Sequence, residues 1–218
     1  MKKFSAKAWT DTIDAAIDVA LACGCTTVVL STGRTSEMVA QEFLLIPPPL
    51  TYPKGHKGGG EGEGAHGRLS PPPQPSPIKG EGERLGRFAE EAFVMMGDHV
   101  GYALSACAVK GVRNVVIAGQ FAKLLKIACG HEQTHVSSSE LDLRMLDEWI
   151  KLETRNSKLE TLAERANTAR QVLEQSGNDP LLIGLVCDRV RKFAEKLAPG
   201  VVMKVLLAGY HGEMLYFG

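Results

Sequence analysis

The segment Thr26-Thr27-Val28-Val29-Leu30-Ser31-Thr32-Gly33-Arg34 decides how the chain folds. A short β-branched run without polar alternation, closed by glycine, reads as a strand buried on both faces. Before it, from Ala6 to Gly24, Ile13, Ala16, Ile17, Ala20 and Leu21 recur at the spacing of one buried helical face, and Gly24 supplies the stop. After it, Ser36 to Leu45 is predicted helical. The same grammar returns twice: Val112 to Ala118 is a second strand closed by Gly119, and Val201 to Ala208 a third ending at Gly209. Met214 to Phe217 is a candidate fourth. Ala89 to Val109 reads as a long apolar helix containing Gly97 and Gly101, and Phe121 to Cys129 as a short helix. Three more helices are predicted from the stripes Leu141/Met145/Trp149, Leu159/Leu162/Ala166/Ala169/Leu173 and Leu182/Leu185/Val186/Phe193/Leu197. Alternating helices and apolar strands imply an α/β domain with a mainly parallel sheet and helices on both faces.

One stretch stands apart. Residues 47–87 hold 9 of the 11 prolines and 10 of the 23 glycines, but only Leu50, Leu69, Ile78 and Leu85 of the larger aliphatic and Phe/Met set. Such a composition buries too little apolar surface to offset its ordering entropy, so the expectation is a low-complexity, disordered insertion in a single domain spanning 1–218. It repeats itself, Pro47-Pro48-Pro49 and Lys54-Gly55 being echoed by Pro71-Pro72-Pro73 and Lys79-Gly80. A tolerated insertion and a proline-rich docking segment are both open.

The 218 residues carry 25 basic and 25 acidic side chains. Zero net charge argues against nucleic acid or a membrane surface as a bulk electrostatic partner. No apolar run reaches the roughly 18 residues of a membrane span. Asp11, Asp14 and Asp18 interrupt the region where a signal peptide needs an apolar core, so a cytoplasmic protein is expected. Five cysteines, Cys23-Gly24-Cys25 among them, lack a second knuckle, and His131 and His135 lack an acidic partner at helical spacing; no metal site is expected.

In an open α/β sheet, ligands bind at the loops leaving the carboxyl ends of the strands. The expected site therefore gathers Thr32-Gly33-Arg34, Gly119-Gln120 and Gly209-Tyr210-His211. Three clusters could serve it. Lys123, Lys126, His131, Thr134, His135 and Ser137-Ser138-Ser139 suit an anionic ligand, or form a solvated face followed by a helix cap at Ser138 or Ser139. Asp98, in Met96-Gly97-Asp98-His99-Val100-Gly101, is an acidic group in an apolar segment: a functional carboxylate, or one facing water beside two packing glycines. Thr32 to Glu37 joins a tight turn to a Ser/Thr-rich helix start, where an anion can meet free amides.

The strings Ser31-Thr32-Gly33-Arg34-Thr35-Ser36-Glu37, Ala92-Phe93-Val94-Met95-Met96-Gly97-Asp98-His99-Val100-Gly101 and Gly119-Gln120-Phe121-Ala122-Lys123-Leu124-Leu125-Lys126 through Thr134-His135 occur in one order. In this the chain resembles the cobalt-precorrin-5B C1-methyltransferase family of anaerobic cobalamin synthesis, over nearly everything outside the insertion. The resemblance implies transfer of a methyl group from S-adenosyl-L-methionine to C1 of a cobalt-corrinoid substrate, giving cobalt-precorrin-6A. It implies Thr32, Gly33, Asp98 and Gly119 for the cofactor, Arg34, Lys123, Lys126, Thr134 and His135 for substrate carboxylates, and Asp98 or His135 as catalytic groups assisting proton loss. The family's amino-terminal Gly-Tyr-Thr-Thr-Gly motif does not occur here, so the resemblance is to the carboxyl-terminal part. A separate amino-terminal polypeptide is then the expected partner, a homo-oligomer is left open, and a non-catalytic ligand-binding fragment or one half of a split enzyme is the alternative.

Overall fold

The computed structural model describes residues 5–45, 88–135, 141, 143–154 and 156–218. The 47–87 insertion and the Ser137–Ser139 cap lie outside them.

Helix α1 (Ala6–Ala22) starts at Ser5, whose side chain accepts a hydrogen bond from the Ala8 amide, and buries Ile13, Ile17 and Ala20 completely. Strand β1 (Thr27–Ser31) leads into α2 (Arg34–Leu44). After a 3-10 turn at Glu90–Ala92 come β2 (Phe93–Met95), α3 (Val100–Val109), β3 (Asn114–Gln120) and α4 (Phe121–Ala128). Helices α5 (Leu143–Glu153), α6 (Ser157–Arg165), α7 (Ala169–Gln175) and α8 (Pro180–Leu197) precede β4 (Val202–Ala208) and β5 (Met214–Phe217).

Among the described residues the sheet has five strands in the order β2-β1-β3-β4-β5. The first four are parallel, with Leu30 beside Val94 and Ile117, and Ile117 beside Val205. Strand β5 returns antiparallel to β4. Side-chain alternation along the strands builds two cores. Val28, Leu30, Val115, Ile117, Met203, Val205 and Leu207 pack with the helices of one face, while Val29, Val116, Ala118, Leu206 and Ala208 meet Val39, Ala40 and Leu44 of α2 on the other. The expected α/β class with helices on both faces is therefore found. Cys107 and Cys187 lie in the larger core, where burial pushes each thiol up to about 12 and leaves it unreactive.

Two expectations need correcting. The helix read from Ala89 to Val109 is a 3-10 turn, a strand, a turn and a shorter helix. Uniformly apolar sequence carries no period to distinguish strand from helix. The main chain decides instead: Met96 and Gly97 amides both donate to the Ser31 carbonyl (3.0 and 3.2 Å), and Gly97 takes φ +59. Likewise the stripe from Leu159 to Leu173 is two helices. The Thr168 hydroxyl accepts from the Gln171 amide and starts α7 after the chain leaves helical geometry at Ala166.

From β1 the chain crosses by α2 to β2 on one side, then by α3 to β3 on the other. The carboxyl ends of β1 and β3 thus form a topological switch point, where crossovers diverge and leave a crevice.

Candidate functional site

The site is assembled at this edge from three segments. Ser31 ends β1, and its carbonyl ties down the Met96-Gly97 turn. Thr32 continues the ladder, its amide donating to the Ala118 carbonyl at 2.9 Å, and its side chain is buried. Gly33 then caps α2 in extended conformation without a side-chain bond, while Ser36 Oγ donates to the Gly33 carbonyl at 2.8 Å. The first-turn amides of α2 lack intrahelical acceptors, and a Cβ on Gly33 would meet nothing within 4 Å. Ser31 Oγ, buried on the α2 side of the sheet, has no hydrogen-bond partner among the described residues.

Asp98 sits in the turn after β2, not in the helix read from the sequence. Its Oδ1 accepts from Thr134 Oγ1 (2.7 Å) and from the Lys123 ammonium, which also reaches Thr134 Oγ1 at 3.2 Å. The main chain repeats the pairing. Thr134 N donates to Asp98 O at 3.1 Å, and Gly101 N to Glu132 O at 2.9 Å, so residues 98–101 and 132–134 lie zipped together. A Cβ on Gly101 would stand 2.5–2.9 Å from Glu132 side-chain atoms, which explains a glycine inside α3. Burial alone would raise the Asp98 carboxyl. Hydrogen bonds from Lys123 and Thr134, with the charges of Lys123 and His135, outweigh it and hold the group below its ordinary value of 3.8.

Lys123 and Lys126 do share one face of α4, as their spacing requires, but that face looks onto the 130–135 segment. Lys126 is only 8% exposed, and its ammonium donates to the Thr134 carbonyl at 3.0 Å. Burial, then the nearby Lys123 charge, lowers its pKa. Lys126 is thus engaged by the main chain. Lys123 remains about one third exposed, and His135 is exposed.

Thr32 and Gly119 also come together. Gly119 lies inside β3, one residue before its end, and a Cβ there would stand 2.7 Å from Leu124 Cδ2 and 3.1 Å from Thr32 Oγ1. Its missing side chain lets α4 and the β1 turn close over the strand. Gly119→Ala is expected to lower stability by about 1–3 kcal/mol, read from the urea midpoint, because Leu124 is fully buried and has little room to yield. Arg34 is exposed at the first position of α2. The third expected loop closes on itself: Gly209 N donates to Glu213 O at 2.8 Å and His211 N to Glu213 Oε2 at 3.0 Å. Beside it Tyr210 lies under the Arg170 guanidinium, 4.6 Å from the ring centroid.

Sequence reading missed Ser31, Glu132 and Gln133, and also Trp9, whose ring centroid lies 6.3 Å from that of His99. Gln133 Nε2 lies 3.3 Å from His99 Nδ1. Ser31 reads as an ordinary strand-end residue, and 90 positions of sequence separate Trp9 from His99, so no local signal marked either. Among the described residues no group of three or more His, Cys, Asp or Glu side chains is placed to hold a metal ion, and no helix is long and apolar enough to cross a membrane.

Residues 133–217 match the family described as CbiD, C-terminal domain. Over its full length the chain is 57% identical to a protein of Geotalea daltonii and 58% identical to one of Geobacter sulfurreducens, covering 50% and 49% of their lengths. A protein of Citrifermentans bemidjiense is 50% identical over 217 residues, 49% of its length. All three are named cobalt-precorrin-5B C(1)-methyltransferase. No solved structure matches. The chain spans about half the length of these relatives, and its similarity to the cobalt-precorrin-5B C(1)-methyltransferases runs from one of its ends to the other.

Proposed function

We propose that this chain supplies the carboxyl-terminal half of a cytoplasmic, S-adenosyl-L-methionine-dependent methyltransferase. Its reaction is methylation at C1 of cobalt-precorrin-5B to cobalt-precorrin-6A in cobalamin synthesis, performed together with an amino-terminal half of the kind the relatives' greater length provides. The observation carrying this reading is the end-to-end identity of 57% to a relative bearing that name.

The residues at the switch point suit such a donor. An open glycine turn and first-turn amides offer hydrogen bonds to a carboxylate-bearing ligand. When bound, S-adenosyl-L-methionine supplies an electrophilic methyl group. Thr32 and Gly33 hold the donor's anionic end, and Gly119 keeps Thr32 seated against β3. Asp98, fixed as a carboxylate, offers its second oxygen to a donor hydroxyl or ammonium. A carboxylate held below its ordinary value by an ammonium and a hydroxyl is a weaker base, so proton loss after methylation is assigned to the exposed imidazole of His135. Arg34 and the outer side of Lys123 meet substrate carboxylates, while Lys126 and Thr134 act behind them by fixing the loop that presents His135. Positioning rather than acid-base chemistry carries most of the task.

Calorimetric titration tests this, using S-adenosyl-L-methionine and its demethylated product against the chain alone and mixed with the amino-terminal half of the Geotalea daltonii relative. Saturable binding, with methyl transfer to the corrinoid in the mixture, is the expected result. Binding without transfer in the mixture would favour the second reading, a non-catalytic ligand-binding fragment. No binding in either sample would remove the methyltransferase assignment.

A further inference from the structure

At the far end of α4 from Lys123, a cleft of about 310 Å³ opens between that helix, α5 and α8. We propose that it is a second binding site, for a one- or two-ring aromatic anion carrying carboxylate or phosphate groups.

The α8 residues Arg189, Lys192, Phe193 and Lys196 fall at i, i+3, i+4 and i+7, one face of the helix, and all line the cleft. Trp149 of α5 and the turn Ala128, Cys129 and Gly130 complete its walls. The Arg189 guanidinium lies 4.3 Å from the Trp149 ring centroid and donates to Glu153, so it is neutralised and fixed in place. Lys192 and Lys196 are exposed and make no ion pair among the described residues. The cleft lining itself holds no acidic side chain. Two like charges four residues apart on a helix repel each other. One of them, Lys196, complements the negative end of α8; Lys192, a turn earlier, feels the charge of Glu153, which is already bonded to Arg189.

Gly130, at φ +92, turns the chain away at the end of α4. A Cβ there would stand 3.8 Å from Phe193 Cε2, so the bare glycine leaves the aromatic edge open. Ammonium groups over aromatic walls favour a flat body bearing anionic oxygens. The volume sits at the low end of the roughly 300–1,000 Å³ of small-molecule pockets, enough for a ring or two and too little for a tetrapyrrole-sized macrocycle. This site therefore stands independently of the one at the sheet edge.

The test uses the whole chain carrying Trp9→Phe, so that Trp149 is its remaining indole. Benzene-1,2,4-tricarboxylate and adenosine 5′-monophosphate are titrated separately, with inorganic phosphate as the anion lacking a ring. A saturable change in Trp149 emission with one or both aromatic anions is expected, and the tighter of the two identifies the anionic group. Phosphate should bind at least about tenfold more weakly. Lys192→Gln combined with Lys196→Gln should weaken binding by roughly tenfold per lysine, since each removes a charge-assisted contact. The proposal is overturned by any of three results: no saturable change, an unaltered affinity in the double variant, or phosphate matching both aromatic anions.

Discussion

Replacing Phe121 by alanine is expected to cost about 3–5 kcal/mol of stability, more than Gly119→Ala should. Phe121 is completely buried and is the first residue of α4, directly after β3. It packs in the larger core with Leu124, Leu125 and Ile127 of its own helix and with residues of α8. Truncation removes aromatic surface from a close-packed interior and leaves a cavity that rigid strands cannot collapse around. Because α4 carries Lys123 and Lys126, loosening its first turn should also detach the 130–135 segment from Asp98. Urea unfolding checks the magnitude, with an unchanged slope as evidence that the native state alone was affected. Val109→Ala is the control: that side chain is 88% exposed, and its loss should stay within about 0.5 kcal/mol. Equal effects for the two variants would refute the packing account.

Asp98→Ala should be the most damaging change at the candidate site. It removes the acceptor shared by the partly exposed Lys123 ammonium and the hydroxyl of buried Thr134, at a cost of about 1–3 kcal/mol. The network predicts non-additivity. Lys123→Met alone leaves the Asp98 carboxylate short of its main partner, whereas both changes together leave neither charge unpaired, so the double variant should lose less than the sum of the singles. Strictly additive losses would mean that the pair contributes nothing.

The acid dependence carries a second signature. The folded Asp98 carboxyl titrates below its ordinary 3.8, so the unfolded chain binds the proton more readily. The stability this contributes is fully present above the ordinary value and disappears as pH falls through the depressed one. Asp98→Ala should therefore lack part of the decline that the parent protein shows below about pH 4 in a denaturant series. A parent and variant declining in parallel would contradict the shift and its cause.

Much of this site was legible residue by residue. Asp98 was singled out because an acid is costly in an apolar segment, Lys123 and Thr134 because they crowd after a strand, and all three meet. Their relation was not legible. Lys126 reads as a solvent-facing cation three positions from Lys123, yet it is buried and bonded to the Thr134 carbonyl. Gly119 reads as a turn that ends a strand, while its function here is to admit Leu124 and Thr32. Neither role has a local signal, because each depends on a segment that approaches through space.

Periodicity and composition by themselves determined the α/β class, the strands at β1, β3 and β4, the helical face of α1 and the low-complexity character of residues 47–87, since these follow from local spacing and from how much apolar surface a segment can bury. The tertiary structure alone decided that Phe93-Val94-Met95 is a strand, because an unbroken apolar run suits either state until β1 offers it a ladder. It alone placed β1 between β2 and β3, creating the switch-point crevice, and turned Lys123 and Thr134 toward one carboxylate and Lys126 toward the Thr134 carbonyl. Strand order and side-chain pairing are fixed by contacts between residues far apart in the chain, and the energy of such contacts exists only once the chain has closed upon itself.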